Sequence, residues 1–206
     1  MNKIKILLVD DHAVMRMGLA SLLNAQSEFE VIGEAGDGES GLQLAAQKSP
    51  DVVVMDLMMS GIDGVEATRR LVSQDPTAKI LILTTFGTAD GISHALRSGA
   101  KGAIMKSADF SEFKSAILAI ARGENYIESE IEQMMLDDPP VPLLSHRQSE
   151  ILQSITRGLS NEDIAKQFNI SLQMVKGHLT ALFAKIGAAN RAEAVSIALR
   201  KHLLKI

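Results

Sequence analysis

DVVVMDL, residues 51–57, is the stretch whose reading decides the fold. Three valines and a methionine run without a polar break into Asp56. An unbroken apolar run is what a strand covered on both faces requires, and strands of that kind belong to parallel sheets. Such a strand could end on almost any residue, yet this one ends on an acid. The first strand of the chain, IKILLVDD (4–11), ends on two more.

Working outward, four further apolar runs cover 4–10, 30–35, 78–85 and 101–106, and amphipathic segments alternate with them at 12–25, 39–48, 64–74, 89–99 and 109–123. That is strand–helix repeated five times. It predicts a doubly wound α/β domain with a parallel sheet and helices on both faces, because right-handed crossovers between parallel strands need a helix. Pro50 and Pro76 precede the third and fourth strands, and Gly99 closes the helix before the fifth.

The first domain is therefore expected over residues 1–123. From 124 to 143 the pattern breaks into Asp137-Asp138-Pro139-Pro140-Val141-Pro142, which reads as a linker, with a short helix over 127–136 able to precede it. Residues 144–206 read as helical throughout. Ser145, Ser160, Ser171 and Asn190 each begin a segment as good N-cap residues. Asp163 and Glu193 stand three residues after their caps, as in a capping box, and Gly158 and Gly187 stand where helix ends need a left-handed residue.

Composition narrows the function. With 46% hydrophobic residues among 206, the chain can bury cores for one large or two modest domains. It has no cysteine, which excludes disulfides and thiolate metal sites. Aromatic residues are 3% with no tryptophan, which argues against stacking platforms for single-stranded nucleic acid. The start, MNKIKILLVDDH, lacks the pattern of a signal peptide, and no stretch approaches the ~20 apolar residues of a membrane span. A cytoplasmic protein without membrane contact is expected. Residues 124–142 hold six acids and no base, whereas 143–206 hold nine bases against four acids, an asymmetry that suits a polyanionic partner for the C-terminal third.

In open α/β sheets, functional groups collect at the carboxyl ends of the strands. Asp10 and Asp11 end the first strand, Asp56 the third, Thr84 the fourth and Lys106 the fifth. Three crowded carboxylates repel one another unless a cation joins them, and all-oxygen ligation suits Mg²⁺. A lysine and a hydroxyl facing the same point suit the oxygens of a phosphoryl group. A carboxylate in such a cup can act as a nucleophile toward a phosphoryl donor.

These motifs, LLVDDH, VVVMDLMMSGIDGVEA, ILILTTF and GAKGAIMK, resemble those of bacterial response-regulator receiver domains, over essentially all of residues 1–123. The resemblance implies a flavodoxin-like (βα)5 fold with Asp56 as phosphoacceptor. It implies Mg²⁺ held by Asp10, Asp11, Asp56 and the backbone carbonyl of Met58, and Thr84 and Lys106 as switch and phosphate-binding residues. A sensor histidine kinase is implied as the donor. The chain departs from the family at Ser60 and Ser107, where proline is common, and at Ala103, where an aromatic is usual. Without that ring, the signal is expected to travel through Thr84 and backbone movement at the fourth helix.

In the C-terminal third, Ile164, Ala165 and Phe168 form one apolar helix face, and Val175, Leu179, Leu182, Phe183 and Ile186 another. A short helix, a tight turn and a longer helix carrying Lys176, His178, Thr180 and Lys185 off its apolar side make a helix-turn-helix. The same pattern also fits an ordinary helical hairpin or a protein-docking module.

Residues 143–204 resemble the DNA-binding domain of the NarL/FixJ/LuxR family, through Gly158-Leu159-Ser160-Asn161 and Val175-Lys176-Gly177-His178. Met174 replaces the usual threonine, and Gly177 offers no side chain while costing the helix up to about 1 kcal/mol. The resemblance implies a small four-helix domain that binds double-stranded promoter DNA. Gln173, Lys176, His178, Thr180 and Lys185 are its candidate contacts, and Val195, Ala198 and Leu199 on the last helix are the surface of a homodimer formed on phosphorylation.

The whole then reads as a phosphorylation-controlled transcriptional regulator, catalysing only its own phosphotransfer and slow dephosphorylation. A Mg²⁺-dependent phosphohydrolase would want a second acid two residues after the nucleophile, where this chain has Met58. A receiver fold that dimerises without phosphate keeps Ala103 in its favour and the intact acid, threonine and lysine set against it.

Overall fold

The protein is described by a computed structural model, which covers residues 3–85, 89–142, 144–201 and 203. The chain divides into two compact units, Met1–Asp138 and Pro139–Ile206. Among the described residues no helix is long and apolar enough to cross a membrane.

The first unit runs β1 (Ile4–Val9), α1 (Ala13–Asn24), β2 (Phe29–Ala35), α2 (Gly38–Lys48), β3 (Val52–Asp56), α3 (Gly64–Gln74), β4 (Ile80–Thr84), α4 (Ala89–Arg97), β5 (Gly102–Met105), α5 (Phe110–Ala121), β6 (Tyr126–Ile127) and α6 (Ser129–Asp137). The strands form one parallel sheet in the order β2-β1-β3-β4-β5-β6. Period-two alternation divides each central strand between two cores. Ile6, Leu8, Val52, Val54, Leu81 and Leu83 face one side with Leu23 of α1 and Phe113 and Ile117 of α5. Leu7, Val9, Val53, Met55, Ile80 and Ile82 face the other with Leu42 of α2, Leu71 of α3 and Ile92 of α4. All twelve strand residues are at most 2% exposed, which is why DVVVMDL carries no polar alternation. The strand order reverses between β1 and β3, so the crevice of this doubly wound sheet opens at their carboxyl ends.

The sheet has six strands where the sequence predicts five. Residues 124–138, read above as linker, instead join the first unit. β6 pairs with β5 through Gly102–Tyr126 and Ala103–Ile127. A Cβ on residue 102 would lie 2.1 Å from the Tyr126 carbonyl oxygen, so this pairing depends on Gly102. In α6 the fully buried Ile131 joins the core beneath α4, with Met134 and Met135 packed against it. Ile127, Ile131, Met134 and Met135 recur at helical spacing, a stripe that the six acids around it mask. The helix expected over 127–136 is α6, entered through a strand that two residues cannot announce.

The second unit contains α7 (His146–Thr156), α8 (Asn161–Phe168), α9 (Leu172–Ile186) and α10 (Arg191–Arg200). Its core joins Ile151, Leu152 and Ile155 of α7, Ile164 of α8, Val175, Leu179, Leu182 and Ile186 of α9 and Ala194, Ile197 and Ala198 of α10. Val141, expected in the linker, is buried in this core as well. All four predicted caps form: the side chains of Ser145, Ser160, Ser171 and Asn190 each accept the backbone N–H three residues on. Ser160 and Asp163 make a full capping box, and so do Ser145 and Gln148. Glu193 accepts instead from Ala189 N, one residue before its cap, at 2.7 Å.

Candidate functional site

The carboxyl edge of the sheet brings together the polar residues that the strand ends supply. Asp10 follows β1, Asp56 closes β3, Thr84 closes β4 and Lys106 follows β5. Asp10, Asp56 and Thr84 are at most 2% exposed. Lys106 Nζ lies 2.7 Å from Asp10 Oδ2 and 2.8 Å from Asp56 Oδ2, so one ammonium joins the two buried carboxylates. Asp11 is exposed at the rim, where its Oδ2 accepts from Ser60 N at 3.3 Å. Met58 N donates to Asp56 Oδ1 at 3.2 Å, which draws the Met58 segment to the pocket. Gly64 keeps the start of α3 close: a Cβ there would meet the Asp56 carbonyl oxygen at 2.3 Å.

The electrostatics are those of a buried acid held against one cation. Burial pushes the Asp56 carboxyl above its ordinary range and the nearby Asp10 pushes the same way, while Lys106 opposes both. Burial alone would lower Lys106, but hydrogen bonds to Asp10 and Asp56 outweigh it and hold the ammonium above its ordinary value. Lys106 therefore stays charged, and it and the Met58 N–H together oppose the burial of the Asp56 carboxyl. The Thr84 hydroxyl is buried and has no hydrogen-bond partner among the described residues. A buried donor left unsatisfied costs stability.

Asp10, Asp11, His12 and Asp56 can each offer a ligand atom within 4.8 Å of one another. The donors are chiefly carboxylate oxygens, which fit a hard cation such as Mg²⁺. Sequence reasoning gave His12 no role. Its Nδ1 lies 2.9 Å from Asp11 Oδ1, and its backbone N–H donates to Asp10 Oδ1 at 2.8 Å. Its adjacency to the two acids was the available signal. Arg16 was missed too: its guanidinium donates to the Asp10 carbonyl and its Nε lies 3.6 Å from Glu34, so it ties the acid-bearing turn to the end of β2. No local pattern marks it. Glu128 is 5% exposed and accepts from Met105 N at 2.5 Å, beside Lys106. In the sequence it is one of six acids in residues 124–142, and nothing local sets it apart.

In the second unit, Gln173, Lys176 and Thr180 are exposed on the side of α9 that faces away from its buried Val175, Leu179, Leu182 and Ile186. His178 and Lys185, expected with them, lie on a half-buried flank, and Lys185 Nζ donates to Gln148 Oε1 of α7 at 3.1 Å. Of the expected dimer residues, Leu199 is 58% exposed and Val195 is half-buried. Ala198 is 1% exposed in the unit's core, so it is corrected from dimer surface to packing residue. A three-residue apolar set on one helix does not reveal which member faces inward until the neighbouring helices are in place.

Comparison with known proteins agrees across both units. The response regulator receiver domain family matches residues 6–118, and the luxR family of bacterial regulatory proteins matches residues 142–198. Transcriptional regulatory protein LiaR of Bacillus subtilis (strain 168) is 38% identical over 209 residues, covering 98% of this chain and 99% of that one. Oxygen regulatory protein NreC of Staphylococcus aureus (strain JH9) is 36% identical over 215 residues, with the same coverage. The crystal structure of response regulator ChrA, from a heme-sensing two-component system, superposes with a TM-score of 0.59 at 35% identity over 99% of this chain and 100% of that one. An RcsB–DNA complex shares the fold with a TM-score of 0.68 at 21% identity, over 97% of this chain and 99% of that one.

Proposed function

We propose that this protein, which belongs to the LuxR-type response regulators of two-component systems, is switched by phosphorylation of Asp56. The protein is a DNA-binding transcriptional regulator with an N-terminal receiver and a C-terminal helix-turn-helix unit. The observation that carries the switch is the meeting of Asp10, Asp56 and Lys106 within 2.8 Å at the carboxyl edge of the sheet.

A histidine kinase is the phosphoryl donor. An Asp56 carboxylate oxygen forms the new bond to phosphorus, and the bond from phosphorus to the donor breaks with its electron pair leaving on the donor. Asp10, Asp11 and Asp56, with the Met58 carbonyl, would hold Mg²⁺, which would supply the positive charge that neutralises an incoming phosphoryl group. Lys106 turns its ammonium from the carboxylates to a phosphoryl oxygen. Thr84, whose hydroxyl has nothing to bond in the described pocket, donates to another. Slow self-hydrolysis resets the site.

Ala103 is fully buried in the same core as Ile127, Ile131 and Met134, and α6 packs on β5 and α4. Transmission therefore runs from Thr84 to α4 and α6, without a swinging ring. The second unit then dimerises through Leu199 and Val195, and α9 enters the major groove of promoter DNA with Gln173, Lys176 and Thr180. His178 and Lys185 flank the duplex.

Incubation with acetyl phosphate and Mg²⁺ tests this reading. The native chain is expected to gain the mass of one phosphoryl group and to dimerise, and Asp56→Ala to do neither. Dimerisation of the native chain with no mass gain, or equal labelling of Asp56→Ala, would refute the assignment.

A further inference from the structure

Most glycines here have a reason inside the fold. Gly158 and Gly187 have positive φ at helix ends, and at Gly64 and Gly102 a Cβ would strike backbone. Gly177 has neither reason. It lies inside α9 with no heavy atom beyond its chain neighbours and the nearby backbone of its own helix within 4 Å of where a Cβ would stand, and its φ is not left-handed. At a solvent-facing helical position alanine is the more stable residue, so the fold gives up stability at Gly177 with no internal compensation. Gly18 of α1 is another interior helical glycine with open space around it. Gly177 differs in its setting. Gln173, Gly177, Thr180 and Ala184 are exposed at helical spacing opposite the buried face of α9, so Gly177 sits at the middle of the outward ridge. Thr180 Oγ1 donates to the Lys176 carbonyl at 3.0 Å, which leaves the outward side of that residue small and short of donors. Long side chains stand beside the ridge, with Lys176 exposed on one flank and Met174 on the other.

We infer that Gly177 is the close-approach position of the DNA-reading surface. The absence of a Cβ lets the backbone of α9 press against base edges at the floor of the major groove. Sequence is then selected there by steric fit, with Gln173 and Lys176 adding polar contacts on either side. This inference rests on the reading of α9 as the groove helix, and the experiment separates the two.

The full chain, treated with acetyl phosphate and Mg²⁺, is used to select duplexes from a random-sequence pool. The probes are the selected duplex and a scrambled duplex of the same composition. Gly177→Ala is expected to raise Tm, to weaken binding to the selected duplex by about tenfold and to leave binding to the scrambled duplex unchanged. Equal affinity of native and variant for the selected duplex overturns the inference. So does a fall in Tm, which would reveal an internal need for the glycine. Lys176→Ala is the companion variant. If it binds both duplexes as the native chain does, or if the native chain enriches no duplex, the groove-helix reading itself fails. If Lys176→Ala weakens binding and Gly177→Ala does not, only the close-approach role is lost.

Discussion

Thr84 keeps a hydroxyl in the apolar end of β4 with no partner among the described residues, although it is 1% exposed. Thr84→Val keeps the shape and removes that polar group. Its stability in urea is expected to equal or exceed the native value by up to about 2 kcal/mol, while phosphodonor no longer drives dimerisation. A clear loss of stability would mean that the hydroxyl is satisfied in the folded chain. Lys106 is the opposite case, since two buried carboxylates depend on it. Lys106→Met leaves them facing each other and is expected to cost about 3–5 kcal/mol without divalent metal. Added Mg²⁺ should recover more stability in this variant than in the native chain. Equal Mg²⁺ effects on both would argue against a cation joining Asp10 and Asp56.

At the scale of elements, α6 and β6 belong to the receiver. Ile131 is fully buried, and Ile131→Ala is expected to cost about 2–5 kcal/mol in urea denaturation. A fragment ending at residue 123 should be less stable than one ending at 138, and equal midpoints would contradict the packing of α6. Glu128 gives this element a pH signature. Burial lifts its carboxyl above the ordinary value of 4.5, and the Met105 N–H only partly offsets this. The folded state then binds the proton more tightly than the unfolded one, so the contribution of Glu128 is full below its ordinary value and falls as pH climbs through the lifted one. Glu128→Gln should therefore gain stability relative to the native chain as pH rises across that window. A difference independent of pH would show that the carboxyl is not perturbed.

For the whole molecule, charge is divided between the units. Residues 143–206 carry nine bases and four acids, and residues 124–142 carry six acids and no base. DNA affinity should fall linearly with salt on a logarithmic scale, and Lys176→Ala should flatten that slope by about one unit. An unchanged slope would remove Lys176 from the phosphate contacts. Leu199→Glu puts a charge on an exposed apolar position of α10, and it should block dimerisation while leaving unfolding stability within about 0.5 kcal/mol of native. Persistence of the dimer would move its surface elsewhere.

The one-dimensional pattern determined the alternation of five strands and helices, the caps at Ser145, Ser160, Ser171 and Asn190, and the acids, threonine and lysine at the strand ends. Those are local matters: hydrophobic period, cap chemistry and the side chain that terminates a buried run depend on near neighbours in the chain. Only the tertiary structure decided that Glu128 and Ile131 belong to the receiver, that Ala198 packs inward while Leu199 does not, and that Lys185 bonds to Gln148. It also decided that one lysine, fifty residues from Asp56 in sequence, joins that acid to Asp10. Each of these depends on which distant surface is near enough to exclude water or complete a hydrogen bond, and periodicity along the chain contains no such distance.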